Sequence, residues 1–165
     1  VTRDLKGRLP IPVGYPDAPI NLFPAVESYF SEGLHFYGTS GWSNDWVTGW
    51  STNQQRQWWE IEVAESGEFI MSIEYSLPKS ENNLSIYGKS NHEIKEVSLP
   101  FYEAAQLPSP DRVERTEVYE RHWGWHEIGI FKLNTGVQKL EIGINPKQAM
   151  ESGFEVKSLK LVRIN

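Results

Sequence analysis

Along most of this chain the apolar positions recur at every second residue. Phe69, Met71, Ile73 and Tyr75 fall on one side of a stretch whose other side carries Ser72, Glu74 and Ser76. Trp59, Ile61 and Val63 alternate with Trp58, Glu60 and Glu62, and Leu140, Ile142 and Ile144 with Glu141, Gly143 and Asn145. A period of two belongs to a strand with one buried face. It predicts strands over 34–38, 57–63, 68–77, 83–88, 92–98, 124–132, 137–144 and 155–164. Turn formers separate them, at Ser66-Gly67, Asn82-Asn83, Ser90-Asn91 and Asn134-Thr135-Gly136. No stretch carries the period of an ordinary amphipathic helix. Evenly spaced short strands joined by polar turns imply an all-β protein, a jelly-roll β-sandwich of about eight or nine antiparallel strands. Its core is expected to gather Ile61, Val63, Phe69, Met71, Ile73, Leu140, Ile142, Leu159 and Leu161.

Two segments break the alternation. Residues 9–24 hold Pro10, Pro12, Pro16, Pro19 and Pro24 with Gly14, a density that blocks helix interiors and central strands. Residues 1–24 are therefore expected to be an extended lead-in from a preceding domain, with a single sandwich over 25–165. The other break runs from Tyr102 to His122 and includes Leu107-Pro-Ser-Pro-Asp-Arg112. A loop of that length in a compact domain is either functional or a solvated excursion.

Composition narrows the function classes. At 165 residues the chain suits one domain with a full core. A net charge of -6 opposes nucleic acid and acidic membrane as general partners. There is no cysteine to supply a disulfide, a nucleophile or a thiolate metal site. No apolar run reaches membrane-spanning length, and Val1 to Arg8 lack the apolar centre of a signal peptide, so the start reads as that of a mature or excised fragment. The four histidines (His35, His92, His122 and His126) form no zinc-protease spacing, and neither a nucleophile elbow nor a phosphate loop is present. No catalytic motif stands out. Seven Trp, seven Tyr and seven Phe do. Most are expected in the core, although sugar rings also present C–H faces that stack on exposed aromatic planes.

Two sets of residues resemble known families. Leu9-Pro-Ile-Pro-Val-Gly-Tyr-Pro16, Pro24-Ala-Val-Glu-Ser-Tyr29, Gly41-Trp-Ser-Asn-Asp-Trp46 and Trp50-Ser-Thr52 resemble the C-terminal region of bacterial arylsulfatases, as do the run from Leu107 to Val113, Glu117-Val-Tyr-Glu120 and Trp123. Trp59-Glu-Ile-Glu-Val63, Ser66-Gly-Glu-Phe69, Gly136-Val-Gln-Lys-Leu140 and the stretch from Phe154 to Ile164 are similar in layout to family 6-type carbohydrate-binding modules, whose fold is galactose-binding-like.

The sulfatase resemblance implies that catalysis resides in a domain outside this chain. The family's formylglycine precursor precedes x-Pro-x-Arg, and the nearest match here, Pro108-Ser-Pro-Asp-Arg112, has proline in the nucleophile's place. It also implies an extracellular or periplasmic parent protein. The looser resemblance implies a structural calcium near Glu27, with Val26 as an insertion relative to the usual Ala-Glu-x-Tyr pattern; on its own, Glu27 reads as a surface glutamate. No other cofactor is implied. Two functions follow. In one, the chain binds polysaccharide through a loop end carrying Asn44, Asp45, Trp46, Arg112, Tyr119, Trp123 and Trp125, the rings stacking, Asn44 and Asp45 hydrogen-bonding hydroxyls, and Arg112, with Arg115 and Arg121 nearby in sequence, pairing with sulfate. In the other, the sandwich docks on its sulfatase catalytic domain and the same aromatics form core and interface.

Overall fold

The computed structural model describes residues 8–38, 43–79, 83–106, 121–146 and 153–165. Among them are fourteen strands and one short 3-10 turn, Ala25–Glu27. The strands are β1 (Ile11–Val13), β2 (Ile20–Pro24), β3 (Tyr29–Phe30), β4 (His35–Phe36), β5 (Val47–Thr48), β6 (Arg56–Val63), β7 (Gly67–Ser76), β8 (Leu84–Lys89), β9 (Ile94–Leu99), β10 (Ala105–Gln106), β11 (Arg121–His122), β12 (Gly124–Leu133), β13 (Gly136–Ile144) and β14 (Glu155–Arg163). The eight segments predicted from alternation all appear as strands, with ends moved by a residue or two.

They form the expected sandwich. The first sheet has the order β1-β6-β13-β8-β9, with β3 also paired to β6; the second has β12-β7-β14-β5-β4, with β2 also paired to β14. A separate two-stranded ribbon, β10–β11, closes the base of the long excursion. The core lies between the inner faces: Trp59, Ile61 and Val63 from β6, Phe69, Met71 and Ile73 from β7, Leu140 and Ile142 from β13, and Leu159 and Leu161 from β14 are all buried. Every residue expected in the core from alternation is among them or shares their cluster.

The lead-in is the first correction. Residues 11–13 and 20–24 are strands of the sandwich, one in each sheet, and Val13 and Phe23 are fully buried in the common core. The domain boundary expected at 24 therefore cuts through the fold. Proline permitted this because β1 and β2 each pair along one side only, β1 parallel to β6 and β2 antiparallel to β14. At such edges a missing N–H costs no ladder bond.

Two β-bulges were invisible to simple alternation. One lies between Glu127 and Gly129, so that Ile128 and Phe131, three apart, are both buried. The other lies between Val156 and Ser158. A bulged residue leaves the pleat and re-aims its side chain, and Lys157 does so here, donating from Nζ to the carbonyl oxygen of Asn44. That bond ties β14 to the loop that carries the first three sequence-predicted site residues.

Candidate functional site

A carboxylate joins Gly38 and Trp46, on either side of the connection between β4 and β5. Asp45 is only 1% exposed, and its Oδ1 accepts hydrogen bonds from the backbone N–H groups of Gly38 (3.0 Å) and Trp46 (2.8 Å). Expected to bond a ligand's hydroxyls, Asp45 instead clasps its own loop, because a buried carboxylate must recover its lost hydration from nearby donors. Asn44 is half-buried beside it, its carbonyl engaged by Lys157.

Trp46 is likewise buried, yet it organises an aromatic cage. Its ring stacks on Tyr37 with centroids 4.6 Å apart and meets Trp123 edge-on at 5.0 Å. Its Nε1 donates to Glu155 Oε2 at 2.7 Å. The guanidinium of Arg121, from β11, enters this cluster with its central carbon 4.4 Å from the Trp46 centroid, 5.1 Å from Tyr37 and 5.9 Å from Trp123. Its Nη1 pairs with Glu155 Oε1 at 2.9 Å. Glu155 thus holds the indole and the guanidinium together, one oxygen each. Cation–ring attraction and a charge-assisted bond both gain strength where water is scarce. The outward surface of the cage is Tyr37, 51% exposed, with Trp123 half-buried at its edge.

The structure thus gathers Asn44, Asp45, Trp46 and Trp123 at one end of the sandwich. It separates Trp125, which points from β12 to the outer face of the second sheet opposite Glu74, with Lys160 Nζ 4.2 Å above its ring. Arg112 and Tyr119 lie outside the described residues, as does Arg115. Sequence reasoning omitted Tyr37 and Glu155 from the site. Tyr37 sits within the predicted strand 34–38 and resembles any packing aromatic; Glu155 opens a strand as an ordinary polar residue. Only long-range pairing of β14 with β5 brings Glu155 to the cage.

Glu27, which the looser resemblance makes a possible calcium ligand, has its Oε1 3.7 Å from the guanidinium of Arg8, and no group of three or more acids, cysteines or histidines suited to a metal occurs among the described residues.

Comparison with protein-family models and with curated sequences finds no match. The fold is nevertheless shared with solved structures. The GH26-CBM35 β-(1,4)-mannanase of Podospora anserina matches 89% of this chain at 16% identity and a TM-score of 0.62, and this chain spans 28% of that protein. The carbohydrate-binding module CBM6cm-2 of Cellvibrio mixtus lichenase 5A, solved with cellotriose, matches 88% of this chain and 98% of its own length at 11% identity and a TM-score of 0.56. A tryptic core variant of Bacillus thuringiensis Cry1Da matches 94% of this chain and 25% of its own length at 13% identity and a TM-score of 0.65. Such identities show a common architecture, the β-sandwich of family 35 and family 6 carbohydrate-binding modules.

Proposed function

We propose that this chain is a non-catalytic carbohydrate-binding accessory domain that takes a polysaccharide at its loop end. The observation that carries the reading is the cage of Tyr37, Trp46, Trp123 and Arg121, locked by Glu155. It holds an exposed aromatic plane rigidly at the rim of a sandwich, with hydrogen-bonding groups behind it. A sugar's C–H face stacks on such a plane, and preorganisation removes the ordering cost that weakens binding by mobile rings. The neighbours' names support the ligand class, since one carries a family 35 module and another holds cellotriose.

The motifs quoted above support the finer reading that the parent is a bacterial sulfatase of the extracellular or periplasmic space, where polysaccharides are met. An appended binder would raise its local substrate concentration. A preference for sulfated chains would rest on Arg112, since Arg121 is already paired with Glu155. The test is affinity electrophoresis in sulfated and desulfated polysaccharide at two salt concentrations, alongside turnover of a chromogenic aryl sulfate. Retardation lost in Tyr37→Ala and Trp123→Ala, without any turnover, is expected. Hydrolysis above the blank, or retardation indifferent to both substitutions, would overturn it.

A second reading, docking against the catalytic domain, is favoured by one feature. Ile20, Val162, Ile70 and Ile130 lie in register across β2, β14, β7 and β12 on the outer face of the second sheet. Ile20 is 67% exposed and Ile130 45%. An aliphatic row of this kind suits a protein surface better than a sugar.

A further inference from the structure

The ribbon β10–β11 joins neither main sheet and consists of two residue pairs, Ala105 with His122 and Gln106 with Arg121. An isolated two-stranded ribbon is marginal in water even when longer than this. Ala105, Gln106 and His122 are exposed, and Arg121 alone of the four is partly covered. The chain is pinned just outside the ribbon on both strands. Ala104 donates its backbone N–H to Ser76 Oγ at 3.0 Å, and Trp123 sets its ring against Trp46. Beyond those pins, the Arg121 side chain returns the ribbon to the sandwich. Its guanidinium carbon lies between 4.4 and 5.9 Å from three ring centroids. The Glu155 side chain that pairs with it is 13% exposed and also holds the Trp46 indole. One side chain thus completes the cage and anchors the ribbon.

We propose that Arg121 is a clamp through which the ribbon and the aromatic cage hold each other, so that ligand on the cage and order in the ribbon rise together. The effect of ligand rests on the glycan reading above; the effect of the rings on the ribbon does not. The physical path is short. A sugar stacked on Tyr37 favours the arrangement in which that ring lies on Trp46, 4.6 Å away. The same arrangement gives the guanidinium two of its ring neighbours. An undocked ribbon would withdraw the guanidinium, leaving Glu155 Oε1 without its charged partner and Tyr37 without one of its neighbours. Linkage then requires reciprocity: whatever factor ribbon docking adds to glycan affinity, the glycan adds to ribbon docking. Arg121 is a positioning residue, acting on the ligand through the rings rather than by touching it.

Trypsin reads the clamp directly, because it cleaves after Arg121 only when this side chain leaves the cage for the protease's own pocket. Glu155→Gln keeps the shape but presents one acceptor oxygen where the carboxylate presents two. Its initial cleavage rate after Arg121 should rise roughly tenfold, the effect of losing one charge-assisted bond when the open population sets the rate. Tyr37→Ala, which removes one ring from the cation, should raise it about threefold. Cleavage after Lys89, in β8, should change in neither variant and so reports that both are folded. For the ligand, the sulfated or desulfated polysaccharide that retards the wild type in affinity gels should slow amide exchange at Ala105 and Gln106 by about threefold, and should retard Glu155→Gln less. Equal cleavage after Arg121 in the wild type and Glu155→Gln overturns the clamp. So does a polysaccharide that retards the wild type yet leaves exchange at Ala105 and Gln106 unchanged. A wild type that no polysaccharide retards sinks the glycan reading instead, and the two variants still decide whether the rings hold the ribbon.

Discussion

On the outside of the first sheet, Tyr29, Trp58 and Tyr87 lie among charges of both signs; on the outside of the second, Ile20, Val162, Ile70 and Ile130 cross four strands in one row. Both faces obey the same alternation, and both send their opposite sides into one core. What separates them is the side chain chosen for the exposed phase. Aromatic rings beside charges suit a ligand that is apolar on its faces and polar at its rim, as a sugar is. Bare aliphatics suit a partner that excludes water over a continuous area. Binding at the loop-end cage and docking through the aliphatic row, the two readings proposed above, would draw on different surfaces of one sandwich. Trp125 shows why residue type alone misleads: it stands on the aliphatic side, under Lys160.

The comparison rests on register, and the largest expected effect tests it. Ile73 and Ile70 belong to one strand but point to opposite sides of the second sheet. Ile73→Ala should cost about 2–5 kcal/mol, because it opens a cavity in a closed core. Ile70→Ala, on the outer face, should cost much less in chemical denaturation of the isolated chain. Equal costs would mean that the outer row is covered, and the contrast between the faces would fail.

Much of this was legible beforehand. Period two placed eight strands and the core residues, because burial on one face dictates every second side chain. Proline misled at residues 9–24: composition cannot distinguish a linker from an edge strand, where the missing N–H is harmless. The bulges at Ile128 and Lys157 were hidden because one extra residue re-phases a pattern without changing its composition. The site was legible in kind more than in members. Trp46 and Trp123 did meet, but Asp45 turned inward, and Glu155 reached the cage only through strand pairings distant in sequence.

A smaller effect separates the faces by what they hold. Ile20→Lys with Ile130→Lys should leave stability within about 0.5 kcal/mol of wild type, as exposed substitutions usually do. The same pair should elute earlier from a phenyl resin, whereas Trp58→Ala should not mimic that shift. Trp125→Ala, by contrast, should leave glycan affinity within about twofold, the scale of an uninvolved surface change. A Trp125 variant that lost all retardation in polysaccharide gels would move the sugar site to the second sheet and reverse the assignment of faces.

The smallest effect concerns pH and the ring of Tyr87 on the outer face of the first sheet. Burial is the main cause that pushes the Tyr87 hydroxyl above the ordinary tyrosine range; its bond to Glu141 and that residue's charge add to the rise, and Arg56 opposes it. Below about pH 10 both folded and unfolded chains keep this proton, so the group's contribution is complete. Above that, the unfolded chain releases the proton while the folded chain retains it. Fewer protons are then bound in the unfolded state, and stability falls as pH rises. Tyr87→Phe has no such proton to lose. Between pH 9 and 11 its denaturation midpoint should therefore fall less steeply than that of the wild type, while Tyr75, raised by burial in the core, contributes equally to both. Parallel curves would show that Tyr87 is as free in the folded chain as in the unfolded one. The ring would then not be pinned across Gly143, and the aromatic side of the sandwich would be no more ordered than the aliphatic one.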